Sequence, residues 1–135
     1  MSDPTALPAP LAAWHHVVHS RDPAALKALL AEDVVFHSPV VHTPQVGRAI
    51  TFQYLMGAMH VLNTAAFRYE RQIVGEHDAL LEFVTELDGV RVNGIDLIRW
   101  NKSGQITDFK VMVRPLKAVN AVHAAMGAML QQLAG

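Results

Sequence analysis

ALLEFVTELDGVRVNGIDLIRWNKSGQITDFKVMV, residues 79–113, carries the decisive pattern. Three runs rich in β-branched and aromatic residues are separated by Asp88-Gly89 and by Asn101-Lys102-Ser103-Gly104. Turn residues at that spacing predict strands over 79–87, 90–100 and 106–113, joined as antiparallel neighbours. Side chains alternate across a strand, so the two faces can be assigned. If Asp96 points inward, so do Ile98 and Trp100, and with them Leu81, Phe83, Thr85, Phe109, Val111 and Val113. The other face then collects Glu82, Glu86, Arg99, Asp108, Lys110, Met112 and Arg114.

Upstream, residues 66–74 read as a further strand and 48–62 as a helix with Ile50, Tyr54, Leu55 and Met59 inward. Pro44 and Gly47 mark a loop. The run 34–38, stopped by Pro39, is a short strand with Phe36 and Ser38 on the inward face and His37 on the outward one. Asp22-Pro23 is an N-cap followed by a first-turn proline. It opens a helix with Leu26, Leu29 and Leu30 as its stripe, after a first helix over 11–19. Downstream of Pro115, an apolar stripe from Leu116 to Leu133 predicts a long last helix. This order gives an α+β domain over 9–135, a curved antiparallel sheet wrapped around helices to make a hollow cone. Residues 1–8 read as a flexible arm.

With 51% hydrophobic and 17% charged residues, 135 residues can bury the core of one domain. A formal charge of −1 gives no basic excess for nucleic acid or a membrane surface. The absence of cysteine excludes disulfides, thiolate nucleophiles and cysteine zinc sites, and suits the cytoplasm. No secretory leader or membrane-length apolar run is expected. His15 and His19, at i and i+4, lack a third ligand in a recognised spacing, so no metal is expected. The scattered glycines form no phosphate cradle, so no cofactor is expected either.

Arg21-Asp22-Pro23, Ala31-Glu32-Asp33-Val34, Ser38-Pro39, Gly47-Arg48 and Gly104-Gln105-Ile106 occur in the order and spacing of the NTF2-like superfamily. Over about residues 11–114 the chain resembles its SnoaL-like members. That resemblance implies the cone fold, with an extra C-terminal helix, and pairing into a homodimer by the outer sheet face. Ile95-Asp96-Leu97 before Gly104-Gln105-Ile106 is similar to the ketosteroid isomerases, whose matching acid is held neutral in an apolar site and donates a hydrogen bond. The rest of that catalytic set departs from the pattern. Trp14 occupies the place of the oxyanion tyrosine, and Ser38 that of the base, which a hydroxyl cannot replace unaided. The carboxylate of the limonene-epoxide hydrolases is also missing from Phe109-Lys110-Val111-Met112-Val113.

The candidate site is therefore Asp96, as acid or hydrogen-bond donor, with Trp14, Phe36, Ser38, Tyr54, Phe83 and Phe109 lining an apolar pocket for a small hydrophobic molecule. The bland reading of Asp96 is a structural acid bonded to Trp14 or a buried water, and that of Tyr54 is core packing with a wet hydroxyl. His37 is expected in an interface or network, and His42 in a loop near the pocket mouth. Three functions remain open on these residues. One is a binding domain without robust catalysis. Another is an isomerase, cyclase or dehydratase acting on a hydrophobic carbonyl compound. The third is a dimerisation module that fills its own pocket.

Overall fold

The computed structural model describes residues 7–134, so most of the expected arm lies outside the described residues. The elements are α1 (Ala9–Ser20), α2 (Pro23–Leu29), β1 (Leu30–His37), β2 (Gln45–Val46), α3 (Arg48–Leu62), β3 (Arg68–Val74), β4 (Asp78–Leu87), β5 (Val90–Trp100), β6 (Ile106–Arg114) and α4 (Leu116–Ala134). Six strands form one curved, unclosed sheet in the order β2-β1-β6-β5-β4-β3.

Local chemistry explains most boundaries. The Asp22 carboxylate accepts the Ala24 N–H at 3.0 Å, satisfying a donor that the first turn of α2 leaves free. Asp88 and Gly89, with φ of 50° and 79°, turn the β4–β5 hairpin through the left-handed pair that a two-residue connection demands. Arg48 donates from Nε to the Leu30 carbonyl at 3.0 Å, which ties the start of α3 to the α2–β1 junction.

Three features depart from the expected order. Leu30 belongs to β1, because its extended backbone pairs with Ile106 and both side chains are fully buried. The sheet is antiparallel except between β1 and β6, which run parallel because most of the chain forms the crossover between them. The short strand β2, read from sequence as loop, pairs back on Val35 and Phe36.

Register shifts between Tyr69 and Arg71 on β3, and between Arg99 and Trp100 on β5, bend the strands around the helices. The concave side buries Leu81, Phe83, Ile98, Trp100, Phe109 and Val111 against Leu11, Trp14 and Val17 of α1, Leu26 of α2 and Leu55 and Met59 of α3. α4 packs on α3, where a Cβ built on Gly57 would stand 3.3 Å from Met126 Cε. It thus closes over the cone of its own chain. No helix among the described residues is long and apolar enough to cross a membrane.

Candidate functional site

Asp96 sits at the middle of β5, opposite Leu81 of β4 and Val111 of β6. Alternation turns it to the concave side, where it is 7% exposed, the one buried carboxylic acid among the described residues. Its partner is Tyr69 of β3, whose hydroxyl donates to Asp96 Oδ2 at 2.6 Å. Trp14 of α1 donates from Nε1 to the Tyr69 hydroxyl oxygen at 3.0 Å. An indole can only donate, so the direction of this relay is fixed: Trp14 to Tyr69 to Asp96.

Burial pushes the Asp96 carboxyl up from 3.8 to about 7, and the bond from Tyr69 holds it back from rising further. Burial also raises the Tyr69 hydroxyl well above 10, helped by the neighbouring Asp96 charge and bond and opposed by the bond from Trp14. Near neutrality Asp96 can therefore be an O–H donor or a carboxylate, while Tyr69 stays protonated. No hydrogen bond to Asp96 Oδ1 occurs among the described residues.

Gly94, two residues before Asp96 on the same face, lies opposite Phe83. A Cβ there would come within 2.4 Å of Phe83 Cζ and 2.7 Å of the Met112 carbonyl, so the ring of Phe83 needs the missing side chain. Phe83 and Phe109 both line a small chamber of about 30 Å³ with Trp14, Tyr69 and Asp96. Asp96 and Tyr69 are the ionisable residues of that lining.

Phe36, Ser38 and Tyr54, expected beside Asp96, instead line a neighbouring cleft of about 120 Å³ under α4, with Val122, His123 and Met126. The cleft and the chamber share Ala58, Leu62 and Val111 as walls. Phe36 packs in tilted contact with Tyr54, ring centroids 5.3 Å apart, and with Phe109 at 6.3 Å, which bridges the two groups. The split arises because α4, which strand alternation cannot place, adds its own apolar stripe to the cleft. Ser38 accepts the N–H groups of Val40 and Val41 at 3.1 and 3.3 Å, so its hydroxyl shapes the turn at the cleft. Thr85 is spent on structure, donating to the Leu62 carbonyl at 2.8 Å and meeting Thr64 at 2.9 Å.

Tyr69 was absent from the residues the sequence pointed to. Its signal was the alternation of β3, which sets it opposite Phe83 on the concave side. The histidines fall elsewhere. His15 bonds Gln72 at 2.9 Å, His37 pairs with Asp108 at 2.9 Å on the outer face, and His42 is exposed in its loop.

A curved, unclosed six-stranded sheet wrapped around helices in this order is the NTF2-like fold. Residues 11–109 match the SnoaL-like domain, and the chain belongs to that family. It is similar in structure to a steroid delta-isomerase from Pseudomonas aeruginosa, with 35% identity over 96% of this chain and 100% of that one, at a TM-score of 0.89. It is likewise similar to an uncharacterised protein with a cystatin-like fold from Silicibacter pomeroyi, at 36% identity, 88% and 83% coverage and a TM-score of 0.81. An NTF2-like protein of unknown function from Mesorhizobium loti shares the fold at 24% identity, 78% and 88% coverage and a TM-score of 0.67. No curated protein matches the chain.

Proposed function

We propose that this protein binds a small, largely apolar molecule in the cleft under α4, with a carbonyl or hydroxyl end directed across the shared wall toward Asp96. The observation that carries the reading is the pairing of an apolar cleft of about 120 Å³ with a chamber whose buried acid has one oxygen unclaimed by the described residues. Met126 and Leu130 can shift rotamer to widen the space, as flexible side chains do at adaptable surfaces. Protonated Asp96 would then donate to the ligand oxygen while Tyr69 holds its other oxygen in place.

Resemblance along the full length to a steroid delta-isomerase favours a second reading, in which the ligand is a hydrophobic carbonyl compound that the protein isomerises. Asp96 would polarise the carbonyl. Against robust turnover stands the lining of the chamber, which supplies no base beyond Asp96 and Tyr69, so that His123 of the cleft wall is the one further candidate. Pairing of two copies by the outer sheet face, where Ile95 and Met112 lie side by side, belongs to the same reading. Sedimentation that gives a monomer at tens of micromolar would remove that part of it.

The test is a thermal-shift screen with neutral apolar ketones and phenols on the wild type, Asp96→Asn and Gly127→Trp. Gly127 lines the cleft with open space around its Cβ position, so an indole there can block the cleft without disturbing the core. Ligands that stabilise the wild type should lose their effect in Gly127→Trp and weaken in Asp96→Asn. Equal shifts in all three proteins would refute the site.

A further inference from the structure

On the far side of Tyr69 from the cleft, a groove of about 450 Å³ runs between the end of α1 and the start of β3. It shares Val18, Asn63, Phe67 and Tyr69 with the Asp96 chamber, so these residues stand between the two spaces, and His15 and His19 of α1 line it as well. Arg21 and Arg68 stand in its walls. We propose that this groove is a second ligand site, taking an aromatic or other flat apolar body that carries one carboxylate or similar monoanionic group.

Arg21 is held for such a contact. Its backbone adopts the left-handed conformation, φ 57°, in which its N–H caps α1 on the Val17 carbonyl at 2.7 Å. A helix commonly ends on glycine in this conformation, and an arginine there accepts strain that glycine would not. Its guanidinium donates to the Asn63 carbonyl, which fixes it beside the groove, and makes no other hydrogen bond among the described residues. Arg68 donates to Glu70 at 2.9 Å. With His15 and His19, which also line the groove, counted as neutral, the two arginine charges less that of Glu70 on Arg68 leave one positive charge, matched by a monoanion. Phe67 and Tyr69 meet edge to face at 5.2 Å, Phe83 stacks on one face of Phe67 at 5.5 Å and His15 packs on Tyr69 at 5.4 Å, so a flat molecule in the groove would lie against the Phe67 edge of this cluster and the His15 ring.

The proposal does not depend on the cleft reading, and the experiment separates the two. The probes are 8-anilinonaphthalene-1-sulfonate, an apolar monoanion, and N-phenyl-1-naphthylamine, its neutral counterpart, each titrated by its own fluorescence. Arg68→Gln and Arg21→Gln should each weaken the anionic probe about fivefold, the loss of one partly exposed charge contact, and leave the neutral probe unchanged. Gly127→Trp, which blocks the cleft, should leave the anionic probe bound. Circular dichroism checks the fold. If Arg21→Gln unfolds, Arg68→Gln and added salt carry the test. Unchanged affinity for the anionic probe in Arg68→Gln, or equal weakening of both probes, overturns the proposal. Loss of the anionic probe in Gly127→Trp would assign it to the cleft and overturn it too.

Discussion

Replacing Asp96 with asparagine should make the protein's stability less dependent on pH, by an amount that follows from burial alone. The carboxyl titrates at about 7 in the folded chain against an ordinary 3.8. Below the lower value it is neutral in both states and costs nothing. Between the two values folding takes up a proton, so stability falls by about 1.4 kcal/mol per pH unit. Above the upper value the whole cost of a buried charge remains, roughly 4 kcal/mol. Stability from this group is thus fully present on the acid side and is lost as pH rises through the window. Asparagine keeps an oxygen to accept from Tyr69 and cannot ionise. Any fixed cost of its amide shifts both ends of the curve equally. Urea unfolding of both proteins at several pH values between about 4.5 and 8 should show their difference moving toward the variant by roughly 3 kcal/mol. The other carboxylates cancel in that difference. A difference flat to about 0.5 kcal/mol would show that Asp96 is solvated, and the argument for a neutral donor would go with it.

Tyr69→Phe removes the one bond that restrains the Asp96 carboxyl, so the midpoint should move above about 7, read from the 13C shift of the carboxyl carbon. The same change leaves the Trp14 indole without its partner and should cost about 1–3 kcal/mol in urea unfolding. Gly94→Ala drives a methyl against the Phe83 ring and the Met112 carbonyl; calorimetry should show a loss of about 1–3 kcal/mol, with Gly89→Ala a poor control because that turn also needs a positive φ.

Much of the architecture could be read from the linear chain because it depends on short-range rules. The Asp88-Gly89 turn admits a two-residue connection and fixes the register that puts Asp96 and Phe83 on one face, while the turn over Asn101 to Gly104 brings Phe109 of the next strand to the same side. Asp22-Pro23 starts α2 for reasons that lie within one helical turn. Arg48–Leu62 and Val90–Trp100 have the same limits in the sequence reading and in the structure.

The site was less legible, since its partners meet across long separations. Tyr69 lies 27 residues from Asp96 and Trp14 a further 55 from Tyr69, and no local pattern announces the relay they form. Leu30 shows the same limit: its helical spacing is sound locally, yet the pairing with Ile106 pulls it into a strand. Strand alternation decided which side chains share a face with Asp96, and the packing of the helices made that face the concave one. Which hydroxyl meets it, and how α4 divides the interior into chamber and cleft, depends on where α1, β3 and α4 dock, and that is set by the packing of the whole cone.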